Sequence, residues 1–186
     1  MGKVQDTIDE RFREFIEAQR MFFVGTAPSG ADGHVNLSPK GGDSLRVLDE
    51  RTVAYLDYVG SGVETIAHLR ENGRIVVMLC ALEGPPKIVR LHGRGEVLEP
   101  GDARFAELRA RFPENPGTRA VIVVNVQRVS DSCGYAVPLY AYQGERRQLD
   151  DWAVKKGPEK LTRYQRDKNA RSVDGLPGLS WVNEEE

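Results

Sequence analysis

Cysteine is scarce in this chain: Cys80 and Cys133 are its only two. They stand alone in strand-like and turn-like sequence, without the spacing of a metal site or a disulfide framework. Both are expected to be reduced thiols of a cytoplasmic protein. Histidine is equally thin. His34, His68 and His92 lie tens of residues apart, with no patterned carboxylate or thiolate beside them, so no metal centre is expected. No apolar run approaches the roughly 20 residues of a spanning helix, and the N-terminus lacks the apolar core of a signal segment, so no membrane partner is expected. An excess of one charge is missing too. The 26 basic residues stand against 28 acidic ones for a net −2, which gives no general attraction to nucleic acid. No Walker loop, nucleophile elbow or dinucleotide fingerprint occurs, and Gly93-Arg94-Gly95 alone is too short to be one.

What is present suits a soluble globular domain: 186 residues, 40% apolar and 29% charged, enough for one full core and an extension. Thr7-Ile8-Asp9-Glu10 has the form of a capping box. Behind it Ile8, Phe12, Phe15 and Ile16 recur at helical spacing. Strands are predicted at Phe22–Ala27, His34–Pro39, Leu45–Leu48 and Thr52–Tyr58. A short helix follows at Glu64–Asn72, ended by Gly73. Ile75–Leu82 has no alternation and predicts a strand buried on both faces. Lys87–Leu98 alternates, with Val89, Leu91 and Val97 on one face and Arg90, His92, Arg94 and Glu96 on the other; Gly93 and Gly95 within it suggest a bend or a close backbone approach. Asp102 is placed to cap a helix reaching Phe112, and Ala120–Val129 is a further strand. Six or seven short, mostly antiparallel strands in so small a chain predict a mainly β fold, a closed or nearly closed barrel with inserted helices.

From about residue 145 the character changes. Residues 145–171 carry nine Lys or Arg against five acidic residues, with Trp152, Leu161 and Tyr164 interleaved. Gly157-Pro158-Glu159 fits a helix start, and Glu184-Glu185-Glu186 reads as a frayed tail. The domain division is therefore a barrel over residues 1–144 and a basic helical extension over 145–186. That extension is too small to fold alone and is expected to wrap over the barrel or over a second copy. A basic run with aromatics can grip RNA, but as a solvated helix whose aromatic face packs on its own protein it implies no nucleic acid.

The chemistry concentrates between His34 and Arg74, where a strand leads into Ser38-Pro39-Lys40-Gly41-Gly42 and a later strand into Gly60-Ser61-Gly62 and a helix. A lysine on flexible backbone and a glycine-flanked helix N-terminus are both places for a phosphate, because unpaired N–H groups and the helix dipole favour an anion there. Together they point to a phosphorylated cofactor. Each has a plainer reading. Ser61-Gly62-Val63-Glu64 is itself a capping box, and Lys40 taken alone suits a solvated turn. The face bearing Arg90, His92 and Arg94 either lines a cleft, contacts a partner, or is simply a polar strand face.

The order of these elements resembles the pyridoxamine 5'-phosphate oxidase-like family of FMN-binding split barrels. The resemblance rests on Asn36-Leu37-Ser38-Pro39-Lys40-Gly41, Thr52-Val53-Ala54-Tyr55-Leu56-Asp57-Tyr58, Gly60-Ser61-Gly62 and the helix Thr65–Asn72. The strand from Arg74-Ile75 and Val89–Gly95 extend it, and with flanking elements it covers roughly residues 10–130. It implies a homodimer with FMN between the subunits. Ser38 and Lys40 would lie along the ribityl phosphate with Pro39 and Gly41 as further cofactor-binding residues, the backbone of Leu56, Asp57 and Tyr58 beside the ring, and Ser61, Gly62 and Thr65 around the phosphate. It further implies an FMN-dependent oxidoreductase with a small-molecule substrate or electron donor. The alternative is a flavin, F420 or haem binder without turnover. Arg90, His92, Arg94 and Trp152 are candidates for the substrate cleft; no catalytic residue is assigned. The chain departs from the pyridoxamine 5'-phosphate oxidases themselves at Glu64-Thr65, where those enzymes carry basic residues, and it shows no C-terminal basic substrate motif. FMN is thus implied more strongly than the vitamin B6 substrate.

Overall fold

Phe22 and Tyr55 come from strands well apart in one sheet, yet their rings meet edge to face at 5.5 Å, because the sheet curls until its inner faces touch. The computed structural model describes Gly2 and residues 4–183, so the acidic run Glu184-Glu185-Glu186 lies outside the described residues. Its strands are β1 (Val4–Gln5), β2 (Phe22–Thr26), β3 (Asn36–Lys40), β4 (Leu45–Val47), β5 (Thr52–Tyr58), β6 (Arg74–Cys80), β7 (Ile88–Leu98) and β8 (Thr118–Ser132). They join in the order β3-β2-β6-β7-β8-β5-β4, with β1 on β8, and every pairing is antiparallel. The fold is the split barrel the sequence predicts. Among the described residues there are eight strands rather than six or seven; the extra one, β1, has only two residues and so no alternation to read. The split lies between the unpaired edges of β3 and β4.

Side chains from β2, β5, β6, β7 and β8 point into this curl and are closed over by Phe12 and Ile16 of α1 (Glu10–Ala18) and Ile66 and Leu69 of α2 (Glu64–Asn72). Asp9, not Thr7, caps α1: its Oδ1 accepts from the Phe12 N–H at 3.0 Å. The short carboxylate directly before the helix reaches the third N–H, whereas Thr7 lies two residues too early. Gly73 ends α2 at φ 71°, the left-handed cap that only glycine adopts without strain. On the outer side of β5, β7 and β8, Leu56, Leu98 and Val121 pack under Leu108 of α3 (Phe105–Arg109) and under Phe112. This helix is shorter than predicted and Asp102 does not cap it; its Oδ1 accepts from Arg104 N–H in the turn before.

The inner residues of β6, Ile75, Val77 and Leu79, are buried, but Val76, Met78 and Cys80 on its outer face are only half-buried. The expectation of burial on both faces is therefore corrected: the outer face of β6 is only partly covered among the described residues. Both thiols are free, with Cys133 exposed. In β7 the predicted bend is a register shift between His92 and Gly93, where a Cβ on Gly93 would collide with the Asn125 carbonyl.

After β8 the chain runs without regular structure to α4 (Gln148–Asn169), which is broken at Gly157 (φ 72°) so that Pro158 opens its second half. Ala153 and Leu161 of α4 pack on Val59, just beyond β5, with Trp152 and Tyr164 beside them. The chain then folds back, burying Leu179 completely in the main core, and ends in a 3₁₀ turn at Trp181–Asn183. Among the described residues no helix is long and apolar enough to cross a membrane.

Candidate functional site

The end of β3 and the end of β5 meet across the split. Asn36, Ser38 and Lys40 point inward from β3, as their register partners Val24 and Phe22 do; Asp57 points inward from β5, two residues beyond Tyr55. Lys40 Nζ donates to Asp57 Oδ1 at 3.0 Å, and Arg119 Nε donates to Asp57 Oδ2 at 2.7 Å. Asp57 is fully buried, Arg119 is 5% exposed and Lys40 16%. Burial pushes the Asp57 carboxyl up, but the charges of Lys40 and Arg119 and their hydrogen bonds outweigh it and hold it below the ordinary 3.8. Two cations on one carboxylate leave the Lys40–Asp57–Arg119 triad itself with a net positive charge.

Arg119 also donates through Nη1 to the Gly62 carbonyl at 2.9 Å, which ties this charge to the loop before α2. No side chain caps α2. Val63 occupies the cap position, and Ser61 is exposed and does not cap, contrary to the capping-box reading. The reason is spacing: the helix begins at Glu64, so Ser61 lies two residues ahead of the cap. The first N–H groups of α2 are left without an intrahelical partner beside a positive charge.

A polar chain links β3 to the same helix end. Ser38 Oγ donates to Asn36 Oδ1 at 3.0 Å. Asn36 Nδ2 donates to Thr65 Oγ1 at 3.0 Å and to Thr26 Oγ1 at 3.1 Å, and Thr26 Oγ1 shares a 3.0 Å hydrogen bond with His68 Nδ1. Because Thr65 accepts from Asn36, its own hydroxyl proton remains for another acceptor. His68 is fully buried, its Nε2 without a partner, and burial holds its imidazole below the ordinary 6.5.

Of the residues singled out in the sequence, Lys40 and Asp57 are thus joined to Gly62 through Arg119, and Ser38 is joined to Thr65 through Asn36, as two separate hydrogen-bonded groups. Ser61 lies in the same loop. Pro39 points to the opposite face of β3, paired with Phe23. The Gly41 carbonyl accepts from Ser44 Oγ at 2.6 Å. Leu56 is buried on the α3 side, its N–H donating to Ser44 O at 2.9 Å, and Tyr58 is half-buried next to it. Arg90, His92 and Arg94 lie on the outer face of the sheet, away from Lys40. Arg90 donates to Ser132 Oγ at 3.1 Å, His92 stands opposite Arg128, and Arg94 bonds the Asn72 carbonyl. Trp152 packs on Tyr164 at 5.2 Å with Lys156 Nζ 5.1 Å over its ring, within α4. Asn36, Thr26, His68 and Arg119 were not legible as site residues. Arg119 heads an apolar strand and sits 62 positions from its carboxylate; only the buried position of a lone arginine marks it.

Glu64, the departure noted above, is turned away from β3: its Oε1 accepts from the Val173 N–H at 3.2 Å. Its other oxygen folds over Gly62, where any Cβ would collide with it.

A curled antiparallel sheet closed into a split barrel, with short helices between its strands, defines a class of small β-barrel proteins. Within that class the chain belongs to the pyridoxamine 5'-phosphate oxidase family, which it matches over residues 8–133. It is 37% identical, over an alignment of 193 residues, to the pyridoxamine 5'-phosphate oxidase family protein ustO of Aspergillus flavus, covering 94% of this chain and 76% of that one. Among solved structures it is similar to HupZ of Group A Streptococcus, with a TM-score of 0.51, 21% identity, and 72% of this chain and 99% of that one covered. A protein from Clostridium acetobutylicum related to general stress protein 26, of the pyridoxinephosphate oxidase family, also gives 0.51, at 16% identity over 68% of this chain and 91% of that one. These two likenesses are of fold.

Proposed function

We propose that this chain binds FMN at the corner formed by Lys40, Arg119, Gly62 and Thr65, in a crevice shared between two copies, and serves as an FMN-dependent oxidoreductase of the cytoplasm. The observation that carries the reading is the net positive charge of Lys40, Asp57 and Arg119 beside an uncapped helix start. An anion answers both the unpaired charge and the unpaired N–H groups. The donor set fits a phosphate: Lys40 as a point charge, the Thr65 hydroxyl, and the N–H groups that open α2. FMN bound there would supply a ring able to take up and release electrons. The protein's own tasks would be to hold the phosphate, orient the molecule and exclude water.

The second copy is supported by the outer sheet face. Val35 is 78% and Leu37 66% exposed, and register places Leu37 and Pro39 on one face with half-buried Phe23, Val76 and Met78. Arg90, His92 and Arg94 continue that face along β7, so a partner seated there would bring them toward its own crevice or toward this one. Titration of the purified protein with FMN, followed by flavin fluorescence, tests the binding. Quenching that saturates at one FMN per subunit supports it, and the absence of quenching overturns it. Should the protein arrive coloured, absorbance and mass of the ligand released on denaturation separate FMN from F420 or haem. Reduction of the bound flavin by NAD(P)H separates turnover from simple binding.

A further inference from the structure

The C-terminal segment after α4 closes one whole side of the α2 N-terminus. Asn169, fully buried at the end of α4, donates through Nδ2 to the Gly60 carbonyl at 2.9 Å, and its Oδ1 is buried with no partner. Its backbone carbonyl accepts from Leu179 N–H at 3.0 Å, and Gly178 N–H donates to Ala170 O at 2.8 Å, so the chain doubles back there. Gly178 lies so close that a Cβ would strike both the Asn169 carbonyl and the Val63 side chain. Further along, the Val173 N–H holds Glu64, and Asp174 accepts from the His34 N–H at 2.9 Å and pairs with His34 Nδ1 at 2.7 Å. The segment therefore bridges the start of α2 and the approach to β3; it holds the Glu64 carboxylate of α2 through the Val173 N–H and adds the carboxylate of Asp174.

We propose that residues 169–180 act as a specificity wall: they admit a terminal phosphate monoester and reject a diphosphate. The inference rests on the anion-site reading above and adds to it. A monoester dianion has one esterified oxygen and needs a single way out of the corner, past Lys40, whose side chain reaches solvent. A dinucleotide such as FAD carries a second phosphate, which needs room and counter-charge beyond the first. On the walled side it meets packed backbone at Gly178 and the carboxylates of Glu64 and Asp174. A further negative charge brought up to those carboxylates is repelled. The missing partner of Asn169 Oδ1 fits a group held for its grip on Gly60 more than for its own hydrogen bonding.

The test is a set of binding titrations with FMN, FAD and riboflavin, read as fluorescence, on the full chain and on Asn169→Ala, Asp174→Ala and Gly178→Ala. In the unaltered protein FMN is expected to bind at least about 100-fold more tightly than either FAD or riboflavin. Asn169→Ala and Gly178→Ala release the wall and should bring FAD to within about tenfold of FMN. Asp174→Ala should move the ratio the same way by a smaller factor, because only charge is removed. Should Gly178→Ala fail to fold by circular dichroism, the other two variants carry the test. FMN binding with an FMN-to-FAD ratio that none of the folded variants changes overturns the wall and leaves the anion site standing. Equal binding of FMN and FAD by the unaltered chain does the same. Failure of the unaltered chain to bind FMN overturns the site and the wall together.

Discussion

Arg119 and Asp57 lie on neighbouring strands near the end of the barrel, and the 2.7 Å bond from Arg119 Nε to Asp57 Oδ2 is buried at both ends. It fixes the side from which every other charge at the split takes its place. Removing the carboxylate would leave two cations facing each other in the protein interior with nothing between them. Asp57→Asn is therefore expected to cost about 3–5 kcal/mol of stability, the usual result of breaking one side of a buried pair. Chemical denaturation measures it. An unchanged midpoint would mean that Lys40 and Arg119 relax to solvent without loss.

The direction of two titrations predicts how acid acts on the fold. Burial lowers the imidazole pKa of His68, against the weaker opposing pull of Asp174, Glu64 and Glu71; the carboxyl of Asp57 is also lowered, because Lys40 and Arg119 outweigh its burial. In both cases the unfolded chain binds the proton more readily than the folded one, so stability falls as pH falls. The His68 contribution is complete above its ordinary 6.5 and is lost below it; that of Asp57 is complete above 3.8 and is lost below it. Thermal melts across that range should show two separate declines. His68→Gln should flatten the upper one and leave the lower one in place, and a variant that leaves both intact would contradict the assignment.

Much of this was written in local sequence. The break at Asp49-Glu50-Arg51 marked off β5, Thr52–Tyr58, and Gly73 closed α2 where its left-handed cap requires. Lys40 and Thr65 stood out because loop glycines and a helix start announce themselves within a few residues. What could not be read depends on distance along the chain. The Asp57–Arg119 pair spans 62 positions, and the grip of Asn169 on Gly60 spans 109. Asp57 in Tyr55-Leu56-Asp57-Tyr58 looks like any strand residue until the curl of the sheet buries it. The outer face of β6 misled for a related reason: an unbroken apolar run reports that both faces are to be covered, not whether the same chain covers them.

That uncovered face yields a prediction of its own. Leu37 is 66% exposed on an edge strand, so a charge there should leave the folding of one chain within about 0.5 kcal/mol of its starting value. In a dimer built on this face the same charge would be buried without a partner. Leu37→Asp is expected to convert dimers to folded monomers in light scattering. A dimer of unchanged strength would move the interface elsewhere.

Lys40 offers the sharpest separation of binding from stability, because the two roles of its ammonium group are unequal. Toward the fold it is the second cation on Asp57, and Arg119 remains when it is gone, so the buried carboxylate is still paired. Toward an anion it is the more accessible of the two cations on Asp57, with 16% of its side chain exposed against 5% for Arg119. Lys40→Ala should therefore weaken FMN by at least about tenfold, the loss of a charge-assisted phosphate contact, while lowering stability by less than Asp57→Asn does. Titration and denaturation of the same preparations compare the two. If Lys40→Ala costs stability but leaves FMN affinity intact, the lysine belongs to the barrel and the phosphate must be held elsewhere.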